Sequence, residues 1–199
     1  MNFIIEPKAL KKFGLTIKDF GLILFCLEEG VPKYIEKYYS RTKFLWAASY
    51  IYKDRRGFKI DRTKLFRIIE YMKEYSEAMN KRAVLLAPKL IEIFPKGKKT
   101  DNIYFRSNRL EVTNKLKKFL SYFGDEYSDE DIIEATKNYV NSFNGNYSYM
   151  RVLKYFIWKN VVKAGEDSTR IEEISDLATW LENKGNEDSL REDWMSTMV

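Results

Sequence analysis

Amphipathic helical segments, each preceded by a capping residue, restrict the fold of this chain more than any other feature. In "SDEDIIEATKNYVNSF", Ser128 stands three residues before Asp131, the spacing of a capping box, and Tyr127 and Ile132 can form a hydrophobic staple. Thr16 and Asp19 repeat this arrangement, and Ser107 or Asn108 can cap another segment. The apolar stripe of that segment consists of Val112, Leu116, Phe119, Leu120 and Phe123. The chain is therefore predicted to be mainly α.

One stretch, "SYIYKDRRGFKIDR", departs from the helical period and predicts a β-hairpin at residues 50–60. β-branched and aromatic residues stand on both sides of a polar turn that contains glycine. Short helices are predicted before it, at about 16–30, 33–39 and 41–49, and a further helix after it, at 62–76. This order is that of a winged helix-turn-helix domain; the alternative is a helical domain that carries a charged surface hairpin.

In the winged-helix interpretation, the helix at 41–49 is the recognition helix and the hairpin is the wing. Leu45, Trp46 and Ala48 are expected in the core rather than at the DNA. A basic segment, "PKGKKTDN", follows the domain and is either a solvated loop or a strap that contacts phosphate. The predicted DNA-binding residues are Arg41, Thr42, Lys43, Arg55, Arg56, Lys59, Lys96, Lys98 and Lys99.

Four regions are predicted along the chain. A winged-helix-like domain occupies 1–94, a basic linker 95–108, a helical module 109–183, and an acidic tail with an apolar end 184–199. In the helical module, "YSYMRVLKYFIWKN" and the segment near 170–182 are both expected to be helices. Leu153 and Phe156 should face the core, whereas Trp158 should lie on another face.

Composition excludes several classes of chemistry. The chain has no histidine and one cysteine, so histidine-based triads and tetrahedral zinc sites are excluded. Neither GxxxxGK[ST] nor GxGxxG occurs. Acidic residues at 125–134 could bind a metal, but carboxylates in the first turn of a helix are explained by the helix dipole. We therefore expect a protein that is not an enzyme, with no metal and no cofactor.

Charge is distributed unevenly. Residues 1–164 hold 32 basic and 19 acidic residues, a net charge of +13, whereas residues 165–199 hold 3 and 10, a net charge of −7. A basic body predicts a polyanionic partner. The tail ends in apolar residues that predict docking into a groove of a protein partner: Trp194, Met195, Met198 and Val199. A disordered end is the alternative.

The segment "LTIKDFGLILFCLEEG…GFKIDRTKLFRII" resembles the winged-helix start of phage-encoded replication proteins, including those similar to the DnaD family. "LIEIFP…KLKKFL…YSDEDIIEATKNYV…YSYMRVLKYFIWKN" is similar to the helical C-terminal module of such proteins. Together these segments cover roughly residues 15–160. "FIWKN" is a departure from the usual end of that module, and the acidic tail has no counterpart. The resemblance implies DNA binding or recruitment of replication components, and no catalytic residue.

The function predicted from the sequence is that of a DNA-binding adaptor in phage replication, located in the host cytoplasm. Weak sequence preference on duplex DNA and no membrane association are expected, since no stretch approaches the roughly 18 to 20 apolar residues of a membrane span. The alternative is a virion structural or assembly protein, or a transcription-associated protein, in which the tail is an assembly arm.

Overall fold

The computed structural model describes residues 5–30, 45, 47, 49–55, 57–99, 103–164 and 169–183. The fold is mainly α, as predicted, with two small antiparallel hairpins. Contacts divide the chain into two compact units, Met1–Ala78 and Met79–Val199, called unit 1 and unit 2 below. Within the described residues, no helix is both long and apolar enough to cross a bilayer.

The elements of unit 1 whose bounds the described residues fix are two helices, a hairpin and the first part of a long helix. These elements are α1 (Pro7–Lys11), α2 (Ile17–Glu29), β1 (Ile51–Asp54), β2 (Gly57–Ile60) and α3 (Arg62–Ile93), of which only the start belongs to this unit. Its core is formed by buried side chains from the helices, the hairpin and the segments beside them: Ala9, Leu10, Leu15, Phe20, Ile23, Cys26, Leu45, Tyr50, Ile51, Leu65, Ile68 and Met72. The predicted burial of Leu45 is confirmed, whereas Trp46 and Ala48 lie outside the described residues.

The start of α2 confirms the predicted capping box. The Asp19 backbone N–H donates to the Thr16 hydroxyl oxygen at 3.2 Å, and the Thr16 backbone N–H donates to the Asp19 carboxylate at 2.8 Å. Leu15 and Phe20 on either side are buried. The cap satisfies backbone donors that a helix leaves unpaired, and it therefore fixes where α2 begins.

Helix α3 is longer than predicted, because it continues past residue 76 to Ile93 and contains Pro88. Proline inside a helix removes one hydrogen bond and destabilises it. Four side chains around it are fully buried in unit 2 and offset this cost: Ala83, Leu86, Ala87 and Leu90. The structure thus divides the chain between Ala78 and Met79, whereas the sequence predicted a first domain that extends to residue 94.

The described elements of unit 2 pack around one large apolar cluster. Its elements after α3 are α4 (Arg109–Phe123), a 3₁₀ turn (Gly124–Glu126), α5 (Asp129–Asn141), α6 (Leu153–Ile157), β3 (Lys159–Ala164), β4 (Thr169–Ile174) and α7 (Asp176–Glu182). Asn108 caps α4 and Ser128 caps α5, the latter in the predicted capping box with Asp131. The predicted burial of Leu153 and Phe156 is confirmed, and both are completely buried.

The hairpin β3–β4 corrects two helix predictions. Helix α6 ends at Ile157, and the chain then forms an antiparallel ribbon in which Lys159 pairs with Ile174 and Ala164 with Thr169. The expected helix near 170–182 is reduced to α7. Glu173 on β4 is held by an ion pair with Lys118 of α4, and the Tyr122 hydroxyl lies 3.4 Å from the same carboxylate.

The burial of Trp158, between α6 and β3, also differs from the prediction that it lies on another face than the core. Only 4% of its surface is exposed, and its ring lies 4.9 Å from that of Tyr122, so it belongs to the core. The prediction was wrong because the helix ends at Ile157. The backbone of Trp158 is extended, which turns its side chain toward the core.

The described parts of the predicted linker, residues 95–99 and 103–108, fold against unit 2. Lys98 and Tyr104 form an antiparallel bridge, and Phe105 next to it is buried. The Arg106 guanidinium donates to the carbonyl oxygens of Phe94 at 2.8 Å and Glu92 at 3.1 Å, at the end of α3. Carbonyls at the end of a helix have no partner inside it, so Arg106 supplies the missing donors.

Candidate functional site

The β1–β2 hairpin of unit 1 places the predicted arginine pair at its turn. Asp54 pairs with Gly57, which leaves residues 55 and 56 as a two-residue connection. Arg55 is exposed there, and Arg56 lies outside the described residues. Lys59 is exposed on β2, directly opposite Tyr52, which is 44% exposed. The hairpin therefore carries cationic side chains both at its tip and along one strand.

The base of this hairpin is anchored in the core of unit 1. Ile51 is buried opposite Ile60, and the Asp61 backbone N–H donates to the Tyr50 carbonyl oxygen at 2.9 Å. Tyr50 itself is buried, and this burial raises the pKa of its hydroxyl. A shift of the pairing register by one residue would expose Ile51, so the register is fixed. The turn is therefore held at a defined position on the surface.

Several predicted residues fall outside the described part of the chain. Among these are three residues of the predicted recognition helix, Arg41, Thr42 and Lys43, and four residues of the tail, Trp194, Met195, Met198 and Val199. Their roles in binding DNA and a protein partner remain predictions from the sequence.

Unit 2 contains a cavity of about 460 Å³ with a cationic lining, called the basic pocket below. Its described lining comes from the predicted linker, the segment before α6, α6 itself and the start of β3. The lining residues are Lys99, Ile103, Arg151, Val152, Tyr155, Lys159 and Asn160. Residues distant in the sequence thus bring three cationic side chains to one cavity.

Lys99 is fixed at the pocket from both its backbone and its side chain. Its backbone N–H donates to the Ile103 carbonyl oxygen at 2.8 Å, and its amine donates to the Met150 carbonyl oxygen at 3.0 Å. An ammonium group has three donors. The contact with Met150 orients the amine while leaving capacity for another acceptor.

Arg151 is held by a pair of buried partners. Its guanidinium forms an ion pair with Asp176, which is 6% exposed, and its backbone N–H donates to the Tyr139 hydroxyl oxygen at 2.8 Å. Burial raises the pKa of the Asp176 carboxyl, and the positive charge of Arg151 opposes that shift. Burial likewise raises the pKa of Tyr139. These contacts fix the position of Arg151, two residues before the start of α6.

Lys159 begins β3 and is half-buried. Burial lowers the pKa of its amine, the negative charge of Asp176 opposes that shift, and the positive charge of Arg151 has a smaller lowering effect. Among the described residues, no carboxylate forms an ion pair with Lys159.

Only one of the three pocket cations was predicted from the sequence. Of the predicted basic cluster, Lys99 lines the pocket, Lys96 is exposed, and Lys98 is exposed with its amine 5.1 Å from the centre of the Tyr104 ring. Arg151 and Lys159 were missed because both were assigned to one continuous helix. The run "KNVVKAGEDSTRIEEI", with β-branched residues on both sides of a polar segment, was the available signal for the hairpin.

The acidic segment at 125–134 has structural roles at the start of α5. Asp131 completes the cap of this helix, and Asp129 accepts from the Arg82 guanidinium at 2.6 Å. Arg82 also donates to the carbonyl oxygens of Gly124 at 3.0 Å and Tyr127 at 2.6 Å. Within the described ranges, no group of three or more acidic or cysteine side chains could hold a metal ion.

Comparisons with protein-family models, with curated proteins and with solved structures found no match for this chain.

Proposed function

We propose that the protein is a DNA-binding adaptor in phage replication, and that unit 1 is a winged helix-turn-helix domain whose wing is the β1–β2 hairpin. The observation that carries this proposal is the anchored hairpin, with Arg55 exposed at a two-residue turn and Lys59 exposed on β2. Such side chains can approach a phosphate backbone without reading its sequence. The net charge of +13 over residues 1–164 favours the same partner.

The proposed adaptor also needs a protein partner, for which the sequence offers the apolar end of the acidic tail. In this proposal the basic body contacts duplex DNA with weak sequence preference, and the tail residue Trp194 anchors the partner. Aromatic side chains dominate many small interfaces, so Trp194 is the first residue to replace in a search for that partner.

The hairpin is tested by removing two charges, with the variant Arg55→Gln/Lys59→Gln. Two lost phosphate contacts should weaken duplex binding about equally on unrelated sequences and reduce the slope of log K against log salt by about one to two. Fluorescence anisotropy with labelled duplexes over a series of salt concentrations measures both quantities.

The matched control is Arg67→Gln/Lys73→Gln, which removes the same two residue types from exposed positions on α3. Both variants have the same net charge, so a difference between them reports position rather than overall charge. Equal salt slopes for the two variants would rule out the hairpin as the DNA contact.

A further inference from the structure

We propose that the basic pocket of unit 2 binds a nucleotide unit, with its phosphate at Lys99, Arg151 and Lys159 and its base against Tyr155. The site is distinct from the hairpin of unit 1 and does not depend on it. Its ligand is either a free nucleotide or one nucleotide of a nucleic-acid strand, since both present the same phosphate and base.

The charge of the pocket favours an anion. Three cationic side chains line it, and among the described residues the Asp176 carboxylate forms an ion pair with Arg151, whereas Lys99 and Lys159 form none. A phosphate at neutral pH carries a charge of about −1 to −2 and accepts several hydrogen bonds. Its charge is therefore opposite in sign to that of Lys99 and Lys159.

Two of the three cationic side chains are held by other groups of the protein, and the backbone of the third is fixed. Lys99 is oriented by the Met150 carbonyl and Arg151 by Asp176 and the Tyr139 hydroxyl, and the backbone of Lys159 is fixed at the start of the paired strand β3. Cations that are already ordered lose less conformational entropy when a ligand binds.

One wall of the pocket is aromatic and apolar. Tyr155, which lines it, is 43% exposed, and Ile103, in the second described part of the predicted linker, is 42% exposed. The Lys154 amine lies 5.2 Å from the centre of the Tyr155 ring on its own helix. An exposed ring next to cations suits a base that stacks while its phosphate is bound.

The size of the cavity agrees with this ligand. About 460 Å³ lies within the range of roughly 300 to 1,000 Å³ that small-molecule sites occupy. Asn160 adds an amide with both donors and acceptors, the type of group that can pair with the edge of a base.

The first experiment measures AMP binding to the full-length protein by isothermal titration calorimetry. Lys159→Gln should weaken AMP binding about tenfold or more, because a hydrogen bond to a charged group is lost. Tyr155→Ala should weaken AMP binding by a similar factor through lost stacking. The control Lys137→Gln removes an exposed lysine of α5 and should leave the affinity unchanged.

The second experiment measures how fast individual lysines of the protein are acetylated. Acetylation of Lys99, Lys159 and Lys137 is followed by mass spectrometry at physiological ionic strength, with inorganic phosphate, AMP or a 5′-phosphorylated oligothymidylate present. Ligand should slow acetylation of Lys99 and Lys159 and leave Lys137 unchanged. AMP should protect at lower concentration than inorganic phosphate, and Tyr155→Ala should remove that difference.

The probes separate the two sources of ligand. Protection by AMP alone identifies a free nucleotide, protection by the oligonucleotide alone identifies a strand, and protection by both identifies the shared unit; each supports the proposal. Equal protection of Lys137, or protection by none of the probes, overturns it. The same protection is expected in Arg55→Gln/Lys59→Gln, so a failure of the hairpin proposal leaves this result unaffected.

Discussion

The hairpin surface of unit 1 and the basic pocket of unit 2 concentrate positive charge in different ways. The hairpin does so within ten residues of sequence, since β1 and β2 span Ile51–Ile60. The pocket combines Lys99 with Arg151 and Lys159, which other elements supply. Both sites rest on a core, but the turn of the hairpin alone brings its cations together, whereas the cations of the pocket meet only when elements distant in the sequence pack together.

The largest effect is expected from Phe156→Ala. Phe156 is completely buried, with its ring 4.1 Å from that of Tyr139 and 5.9 Å from that of Phe94. Its loss should reduce the free energy of unfolding of unit 2 by about 3–5 kcal/mol. Chemical denaturation followed by circular dichroism measures this change. Nucleotide binding at the pocket should weaken, while duplex binding by the hairpin should persist.

The control is Tyr155→Ala, the exposed neighbour on the same helix, which should change stability by no more than about 0.5 kcal/mol. Equal destabilisation by the two variants would contradict the assignment of the α6 faces. Loss of duplex binding in Phe156→Ala at temperatures where the chain is folded would contradict the independence of the hairpin.

A smaller effect is expected from Arg82→Ala. The Arg82 guanidinium joins α3 to the turn before α5 through Asp129 and two carbonyl oxygens, and its side chain is 17% exposed. Its removal should cost about 2 kcal/mol of stability, because hydrogen bonds from a charged donor are lost. Arg82→Lys should recover little, since one ammonium cannot reproduce the planar fork.

Lys81→Ala, at the exposed neighbouring position, is the control for Arg82→Ala and should leave the melting temperature nearly unchanged. Full rescue by Arg82→Lys would show that charge alone, rather than the geometry of three bonds, stabilises the turn.

The smallest effect concerns Glu111, which is paired with Lys154 at 2.8 Å. The hydrogen bond from Lys154 lowers the pKa of Glu111, while partial burial opposes the shift. A carboxylate whose pKa is lower in the folded state stabilises the fold above its unfolded pKa, and this contribution is lost as the pH falls through the folded value. Because Glu111 is 42% exposed, the contribution at pH 7 should be only about 0.5 kcal/mol.

Glu111→Gln should therefore lower stability slightly at pH 7, and the difference from the natural chain should shrink as the pH falls below the unfolded pKa of glutamate and disappear below the lower pKa of the folded state. Melting curves across this pH range test it, with Glu92→Gln, an exposed carboxylate of α3, as the control. A difference that persists at low pH would show that Glu111 acts by packing rather than by charge.

Helix starts and the first hairpin could be predicted because their causes are local. The caps at Thr16 and Ser128 need only a residue three positions away, and the turn at Arg55 needs only its own flanking strands. The second hairpin was missed since the spacing of Ile171, Ile174, Leu177 and Leu181 also matches a helical stripe. Periodicity alone cannot separate these two structures in a short apolar segment.

Local sequence patterns are enough to predict a mainly α chain, the starts of its capped helices and a hairpin that displays Arg55. Packing between distant elements is needed for α3 to continue through Pro88, for Trp158 to be buried, and for Arg151 and Lys159 to meet Lys99. The two groups of features differ in how far apart along the chain their stabilising atoms lie. A cap or a turn is stabilised by atoms a few residues apart, whereas the burial of Leu86 and Leu90 depends on distant elements that the local pattern does not specify.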